Sequence, residues 1–239
     1  MRKSLFRALS LVMAMLLMTG MAVLPQTASA KTSVNVGDSI YFGRTEQDNN
    51  LNNGTERIEW IVLAVNGDKA LVMTRYGVVG AQFTTHSSGQ TWANCTLREY
   101  LNGAWYYDSF TYSERNAISS TTVTDSRSDW DPERLPNNRN TRSTTDYIFV
   151  LSYGEIMQYL PSSNRRLCAP TAYVVARGGN QSNTRYGGMK TCWYWLRNPA
   201  YRNNAGAVDW DGSIATCYMN HTYGVARPCC WVSLSALGY

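Results

Sequence analysis

Ile58–Val65 (IEWIVLAV), Asn66-Gly67-Asp68 and Lys69–Tyr76 (KALVMTRY) are the stretch whose reading decides the fold. Both flanks are rich in β-branched and apolar residues, which suit a pleated, half-buried surface. Asn-Gly-Asp between them tolerates the positive φ of a tight turn, so an antiparallel hairpin is expected. Upstream, Val34–Phe42 (VNVGDSIYF) alternates on either side of a Gly-Asp turn, and the polar run Glu46–Asn53 reads as a loop. Downstream, Leu97–Tyr107 (LREYLNGAWYY) sets Leu97, Tyr100, Leu101 and Trp105 on one helical face. Ser113–Ile118 reads as a second, short helix capped by Thr111 or Ser113.

Further along, Thr121–Asp146 has only Val123, Trp130 and Leu135 as apolar anchors, and is expected to be a long polar surface loop inserted in the domain. Tyr147–Leu151 (YIFVL) reads as a buried strand, and Ser152 as the cap of a short helix over Gly154–Leu160. Arg177–Met189 reads as a glycine-rich loop. Cys192–Leu196, Ala205–Val208 and Arg227–Leu234 read as strands, with Asp211-Gly212 as a hairpin turn. No period of about 20–50 residues recurs, which excludes a solenoid or propeller. The expected architecture is one α+β domain, 31–239, with small antiparallel sheets, two or three short helices and long ordered loops.

The chain has 239 residues, of which 44% are hydrophobic and 16% charged, so it can bury a substantial core. Residues 1–30 read as a secretory signal: Arg2, Lys3 and Arg7 precede the apolar run Leu9–Met18, and Ala28-Ser29-Ala30 offers a cleavage site after Ala30. An uncleaved anchor is the alternative, but Gly20 and Pro25 interrupt the run. No later stretch is apolar enough to span a bilayer. Lys and Arg number 22 against 17 acids. Without the three basic residues of the signal the excess falls to +2, so charge gives no argument for nucleic acid. Export would permit disulfides, but Cys95, Cys168, Cys192, Cys217, Cys229 and Cys230 are too scattered for a disulfide-built miniprotein.

No catalytic frame surrounds His86 or His221, and no glycine-rich phosphate cradle follows a strand. Asp209 and Asp211 could share a strand face, but Asp211 reads first as a turn residue. Cys217, His221, Cys229 and Cys230 match no zinc spacing, and Asp209-x-Asp211 falls short of a calcium loop. Neither a metal nor a cofactor is expected. The notable segment is Trp193–Tyr239: it has nine aromatics but no lysine or glutamate. Such a mixture of Tyr, Asn, Arg, His and Thr suits a recognition surface, because tyrosine gives rigid amphipathic area and the small polar residues adaptable hydrogen bonds. Ordinary polar loops between strands are the alternative.

Several motifs carry a resemblance. They are Val36-Gly37-Asp38-x-Ile40-x-Phe42-Gly43, Ile58-Glu59-Trp60-x-Val62-Leu63, Trp92-x-x-Cys95-x-Leu97-Arg98-x-x-Leu101-Asn102, Cys168-Ala169-Pro170-Thr171-x-Tyr173, Trp195-Leu196-Arg197-x-Pro199, Asp211-Gly212-Ser213 and Arg227-Pro228-x-x-Trp231. Together they resemble a secreted bacterial domain-of-unknown-function family with a C-type-lectin-like fold of the formylglycine-generating type. Proteins of that family are often the variable targets of diversity-generating retroelements, which mutate adenines. The resemblance implies a ligand-facing set of Tyr201, Arg202, Asn203, Asn204, Asp209, Asn220, His221, Thr222 and Tyr223, to which the aromatic residues Trp210 and Tyr218 of the same segment add candidate binding area. Trp210 and Met219 depart from the adenine-substitution pattern, and Asn198, Ala200 and Cys229-Cys230 depart from the family motifs.

The expected function is therefore that of a secreted or surface-exposed ligand-binding protein. Its partner would be a protein or glycan on a cell, phage or host surface. Two other classes stand beside it. A formylglycine-generating-type enzyme would need copper and a reactive cysteine pair, for which Cys217 with Cys229 or Cys230 is the candidate set. A fixed carbohydrate-binding adhesin would use the same aromatic surface without variation, since Tyr and Trp stack on sugar rings. A structural envelope protein without a small ligand is the blandest reading.

Overall fold

In the computed structural model, residues 33–86, 90–125, 142–200 and 203–239 are described. The expected signal, 1–30, the middle of the expected insertion, and Tyr201 and Arg202 lie outside them. β1 (Ser39–Thr45), β2 (Glu56–Asn66) and β3 (Lys69–Thr74) form an antiparallel meander. The Asn-Gly-Asp turn closes with Asn66 opposite Lys69, and Gly67 takes φ 60°. The alternation in β2 sends Ile58, Trp60 and Val62 into the core. Trp60 stacks on Phe42 with centroids 4.7 Å apart and donates its indole N–H to the Phe42 carbonyl at 3.0 Å. Val34–Val36 forms no strand; the chain turns at Val36-Gly37, and pairing starts at Ser39.

β4 (Val79–Gly80) leads toward α1 (Thr96–Asn102) and α2 (Ala104–Ser109). These replace the single helix expected over Leu97–Tyr107. The break falls at Gly103, where φ −109° and ψ −113° leave the helical region and a Cβ would lie 2.7 Å from the Glu99 carbonyl. Leu97, Leu101 and Trp105 are buried as expected, whereas Tyr100 is exposed. α3 (Tyr112–Ala117) starts on Thr111, which accepts from the Glu114 N–H while the Glu114 carboxylate accepts from the Thr111 N–H. The other Glu114 oxygen accepts from Gly43 N–H at 2.8 Å and ties this helix to β1.

β5 (Ile118–Ser119) is followed by β6 (Thr121–Thr124) and β7 (Ser143–Asp146), which pair antiparallel from Thr121 opposite Asp146. This corrects the reading of 121–146 as one loop: its two ends form a hairpin. Polar Thr and Ser in these strands concealed the pairing, because only Val123 and Asp146 turn inward. Asp146 is buried and anchors the join, accepting from the Trp92 indole and from Arg98 Nε, each at 2.7 Å.

Ile148–Leu151 are buried, but they do not form the expected strand. Phe149 makes one isolated bridge with Cys229, and Asn102 Oδ1 accepts from the N–H groups of Tyr147 and Ile148. A side chain thus supplies what a neighbouring strand would have supplied. α4 (Tyr153–Tyr159) begins on the predicted cap Ser152. α5 (Ser163–Arg166) and α6 (Ala172–Ala176) follow. The expected loop 177–189 in fact enters a small hairpin, β8 (Arg185–Tyr186) with β9 (Met189–Lys190), turned by Gly187 and Gly188 at positive φ.

β10 (Tyr194–Pro199), β11 (Asn204–Val208) and β12 (Ile214–Tyr218) make a three-stranded sheet in that order. β10 starts two residues later than expected. β13 (Val225–Ala226) pairs with β4, and β14 (Cys229–Ser233) inserts between β3 and β5. The larger sheet therefore runs β1-β2-β3-β14-β5, all antiparallel. The described protein is mixed α+β with small antiparallel sheets, and its six α-helices outnumber the two or three expected, though each has only four to seven residues. Among the described residues no helix is long and apolar enough to cross a membrane.

Candidate functional site

The three-stranded sheet is built to be a platform. β10 is buried throughout, and Ala205, Gly206 and Ala207 keep the centre of β11 flat. Arg197, in the middle of β10, is buried and makes a two-pronged ion pair with Glu155 at 2.6 and 2.8 Å. It also donates to the carbonyls of Thr124 and Val150. Glu155 is the same residue that closes the cap of α4, so a single carboxylate fixes both the helix and the sheet.

The predicted residues fall into two groups at opposite ends of β11, which is about 13 Å long. Asn203 and Asn204 lead into the strand, and Tyr218 lies directly opposite Asn204 on β12. The ring of Tyr218 is 62% exposed. Asn204 Nδ2 reaches Thr216 Oγ1 at 3.4 Å, while its buried Oδ1 has no partner. Asp209 and Trp210 lie at the far end, in the turn to β12. The Asp209 N–H donates to Ser213 O, and Asp209 Oδ1 accepts from Trp210 N–H. Asp211 Oδ1 accepts from the Ser213 N–H at 2.8 Å, and the hydroxyl and N–H of Ser213 hold its carboxyl below the usual range. Asp211 is thus occupied by the turn.

The return loop 219–224 links the two ends. Met219, only 4% exposed, is stitched down by its N–H to Asn203 O and by its carbonyl to Thr84 N–H. The Asn220 carbonyl accepts from Gln82 Nε2 at 2.7 Å, and the Asn220 and Thr222 side chains are on exposed residues. The His221 ring packs edge-on against Trp193 at 5.4 Å and Tyr223 at 5.3 Å. Its Nδ1 accepts from Tyr223 N–H at 3.3 Å.

Asn180 holds this far end together. Its Oδ1 accepts from Trp193 N–H at 2.7 Å and from the Trp210 indole at 2.9 Å, and its Nδ2 donates to the carbonyls of Trp193 and Tyr223. Thr191 Oγ1 also donates to the Trp210 carbonyl at 2.7 Å. The result is a fixed aromatic corner of Trp193, Trp210, His221 and Tyr223, in which Trp210 is 39% and Tyr223 55% exposed. Sequence reading missed Asn180 and Gln82. An isolated asparagine in a glycine-rich segment carries no spacing signal, and its role arises from three chain segments meeting.

Cys217 lies on β12 and Cys229 and Cys230 on β14, so the candidate cysteine set is divided between two sheets. Burial raises the pKa of all three, which disfavours the thiolate that nucleophilic or copper chemistry requires. The oxygens of Glu46, Asp48 and Glu56 lie within 4.8 Å of one another. They are already engaged by their own loop, accepting from the N–H groups of Asn50, Gln47 and Asp48. A separate cleft of about 450 Å³, lined by Tyr106, Tyr107, Tyr112 and Tyr147, contains none of the predicted residues.

Residues 67–234 match a family model described as "Domain of unknown function (DUF6273)". No curated protein and no solved structure matches the chain.

Proposed function

The chain belongs to the DUF6273 family, and from that premise we propose that it is a secreted or surface-exposed ligand-binding protein with a C-type-lectin-like fold. The observation that carries this reading is the aromatic corner braced by Asn180. Trp210 and Tyr223 present large ring area to solvent while the Trp210 indole N–H and the backbone of both residues are already tied down. Rigid exposed aromatics lose little entropy on binding, which is why they dominate recognition surfaces. The ligand is a protein or glycan on a cell, phage or host surface. Asn203, Tyr218, Asn220 and Thr222 extend the contact area along the loop edge.

Diversification of this edge by a retroelement fits the burial pattern. Met219, which adenine substitution in an asparagine codon does not reach, is buried, whereas Asn203, Asn220, Thr222 and Tyr223 are exposed; Trp210, equally out of reach, is exposed but held by Asn180. Exposed positions on a fixed scaffold can vary without unfolding it.

The test is binding of the wild type, Trp210→Ala and Tyr223→Ala to a glycan array and to fractionated bacterial and phage surface components. Each substitution is expected to weaken binding at least about tenfold, as loss of a central aromatic does, with Tm nearly unchanged. Binding unaffected by both substitutions would remove this corner from the site. Deep sequencing of the 3′ end of the gene across a population tests diversification. Changes at the codons for Asn203, Asn204, Asn220 and Tyr223 are expected, and an invariant segment would mean a fixed adhesin.

A further inference from the structure

Cys168, between α5 and α6, and Cys192, just before β10, are held side by side. The Cys192 N–H donates to the Cys168 carbonyl at 2.7 Å, which sets the two side chains next to each other. Both are buried. A Cβ on Gly77 would collide with Val225 Cγ1 and come within 3.2 Å of Cys192 Sγ, so the glycine makes room for both side chains. All six cysteines are thiols in this structure, and the Cys168 thiol donates to the Arg75 and Ala169 carbonyls at 3.8 and 3.4 Å.

Arg227 lies beside the pair. Its guanidinium is buried and donates to the Thr74 and Arg75 carbonyls and to the Tyr194 hydroxyl. No carboxylate is among its partners in the described residues. A buried cation calls for a counter-charge, and Cys168 is the adjacent group able to give one. Burial alone would raise the Cys168 pKa, but the neighbouring Cys192 thiol and the Arg227 charge outweigh burial and bring it below its ordinary value. Cys192 moves the other way, raised by burial and by Cys168. The fold thus sets two thiols side by side, so that when the segment opens one sulfur can attack and the other, next to it, can resolve.

We propose that Cys168 and Cys192 are a disulfide site that cross-links the base of the segment carrying Asn180. The Cys168 thiolate attacks one sulfur of a small-molecule disulfide such as oxidised glutathione, forming a mixed disulfide and expelling one glutathione thiolate. Cys192 then gives up its proton and attacks the Cys168 sulfur; the protein disulfide forms and the second glutathione leaves. Two electrons pass from the protein to the oxidant. Because both sulfurs are closed off in the folded chain, exchange takes place while the segment is open, during folding or local opening. The cross-link closes the loop that contains α6, Asn180 and the hairpin β8–β9. It stands independently of the ligand-binding reading.

The test uses the full chain. The protein is unfolded with reductant, refolded in a mixture of reduced and oxidised glutathione, then unfolded with N-ethylmaleimide without reductant and digested for mass spectrometry. The expected result is a linked peptide pair through Cys168 and Cys192, with the other four cysteines labelled. Cys192→Ser is expected to abolish the linked pair. Labelling of all six cysteines in the wild type, or linkage mainly through other cysteines, overturns the proposal. The wild-type map decides this whether or not the variant folds.

Discussion

The two larger sheets use aromatic residues in opposite ways. In β1-β2-β3-β14-β5 the large rings of the core, Trp60 and Phe42, are buried and stacked with Phe110 beside them, and only Tyr41 of that sheet's rings is exposed. In β10–β11–β12 the rings facing the core, Tyr194 and Trp195, are joined by others left at the rim, namely Trp210, Tyr218 and Tyr223. The larger sheet gains from removing ring area from water, about 1.5–3 kcal/mol for a large apolar side chain. The smaller sheet forgoes that gain at its rim and instead fixes Trp210 by hydrogen bonds of its indole N–H to Asn180 and of its carbonyl to Thr191. Stability and presentation are thus assigned to different parts of one unit. Trp195 joins the two roles, since it is buried and stacks edge-on beneath Trp193 at 4.8 Å.

The largest expected effects fall on the buried rings. Trp60→Ala and Trp195→Ala should each destabilise by about 3–5 kcal/mol in urea unfolding. Trp210→Ala should cost less than about 1 kcal/mol, because its ring is partly in water already. Equal losses for Trp195 and Trp210 would break the comparison, since the rim would then be core. Next comes Glu155→Ala, expected to cost about 2–3 kcal/mol. It leaves Arg197 buried without its carboxylate and removes half of the α4 capping box. Chemical denaturation reads it, and a loss below about 0.5 kcal/mol would mean that the carbonyls of Thr124 and Val150 satisfy Arg197 alone.

These contrasts also show how far the sequence could be read. The hairpin around Asn66-Gly67-Asp68, the caps Thr111 and Ser152, and the strands at Ala205–Val208 and Arg227–Leu234 rest on local chemistry, so they were legible. The hairpin β6–β7 was not: its strands are Thr and Ser, and its stability comes from the distant partners Trp92 and Arg98 meeting Asp146. Tyr147–Leu151 has a strand's composition, but its backbone is satisfied by Asn102. The site residues stand in the sequence as separate short stretches, Tyr201–Asn204, Asp209-Trp210 and Tyr218–Tyr223, grouped by the resemblance. The chain divides them between two ends of β11, because that spacing is set by strand length and not by sequence proximity.

A smaller effect sharpens the rim. Asn180→Ala should cost about 1–3 kcal/mol, since the indole N–H of Trp210 and the N–H and carbonyl of Trp193 lose their partner together, while the Tyr223 carbonyl keeps only the backbone N–H of residue 180. The more telling readout is local. Amide hydrogen exchange at 219–224 should speed up markedly while exchange in β2 and β3 stays unchanged. If both regions speed up alike, the smaller sheet has no separate brace and the division of roles fails.

The smallest effect lies in the loop from β1 to β2, where the stability sheet carries a charge cost of its own. Burial raises the Glu46 pKa above its ordinary 4.5, and the charge of Glu56 adds to this. The folded protein therefore binds more protons than the unfolded chain between about pH 4.5 and the raised value, and stability falls as pH rises through that window. Glu46→Gln keeps an oxygen for the Asn50 N–H and removes the charge. Its Tm should exceed that of the wild type at pH 7, and the difference should shrink as the pH drops below about 4.5, where the wild-type carboxyl is already neutral. A Tm difference that persists unchanged in acid would come from packing, and would mean that this loop is neutral ground and not a charged weak point of the larger sheet.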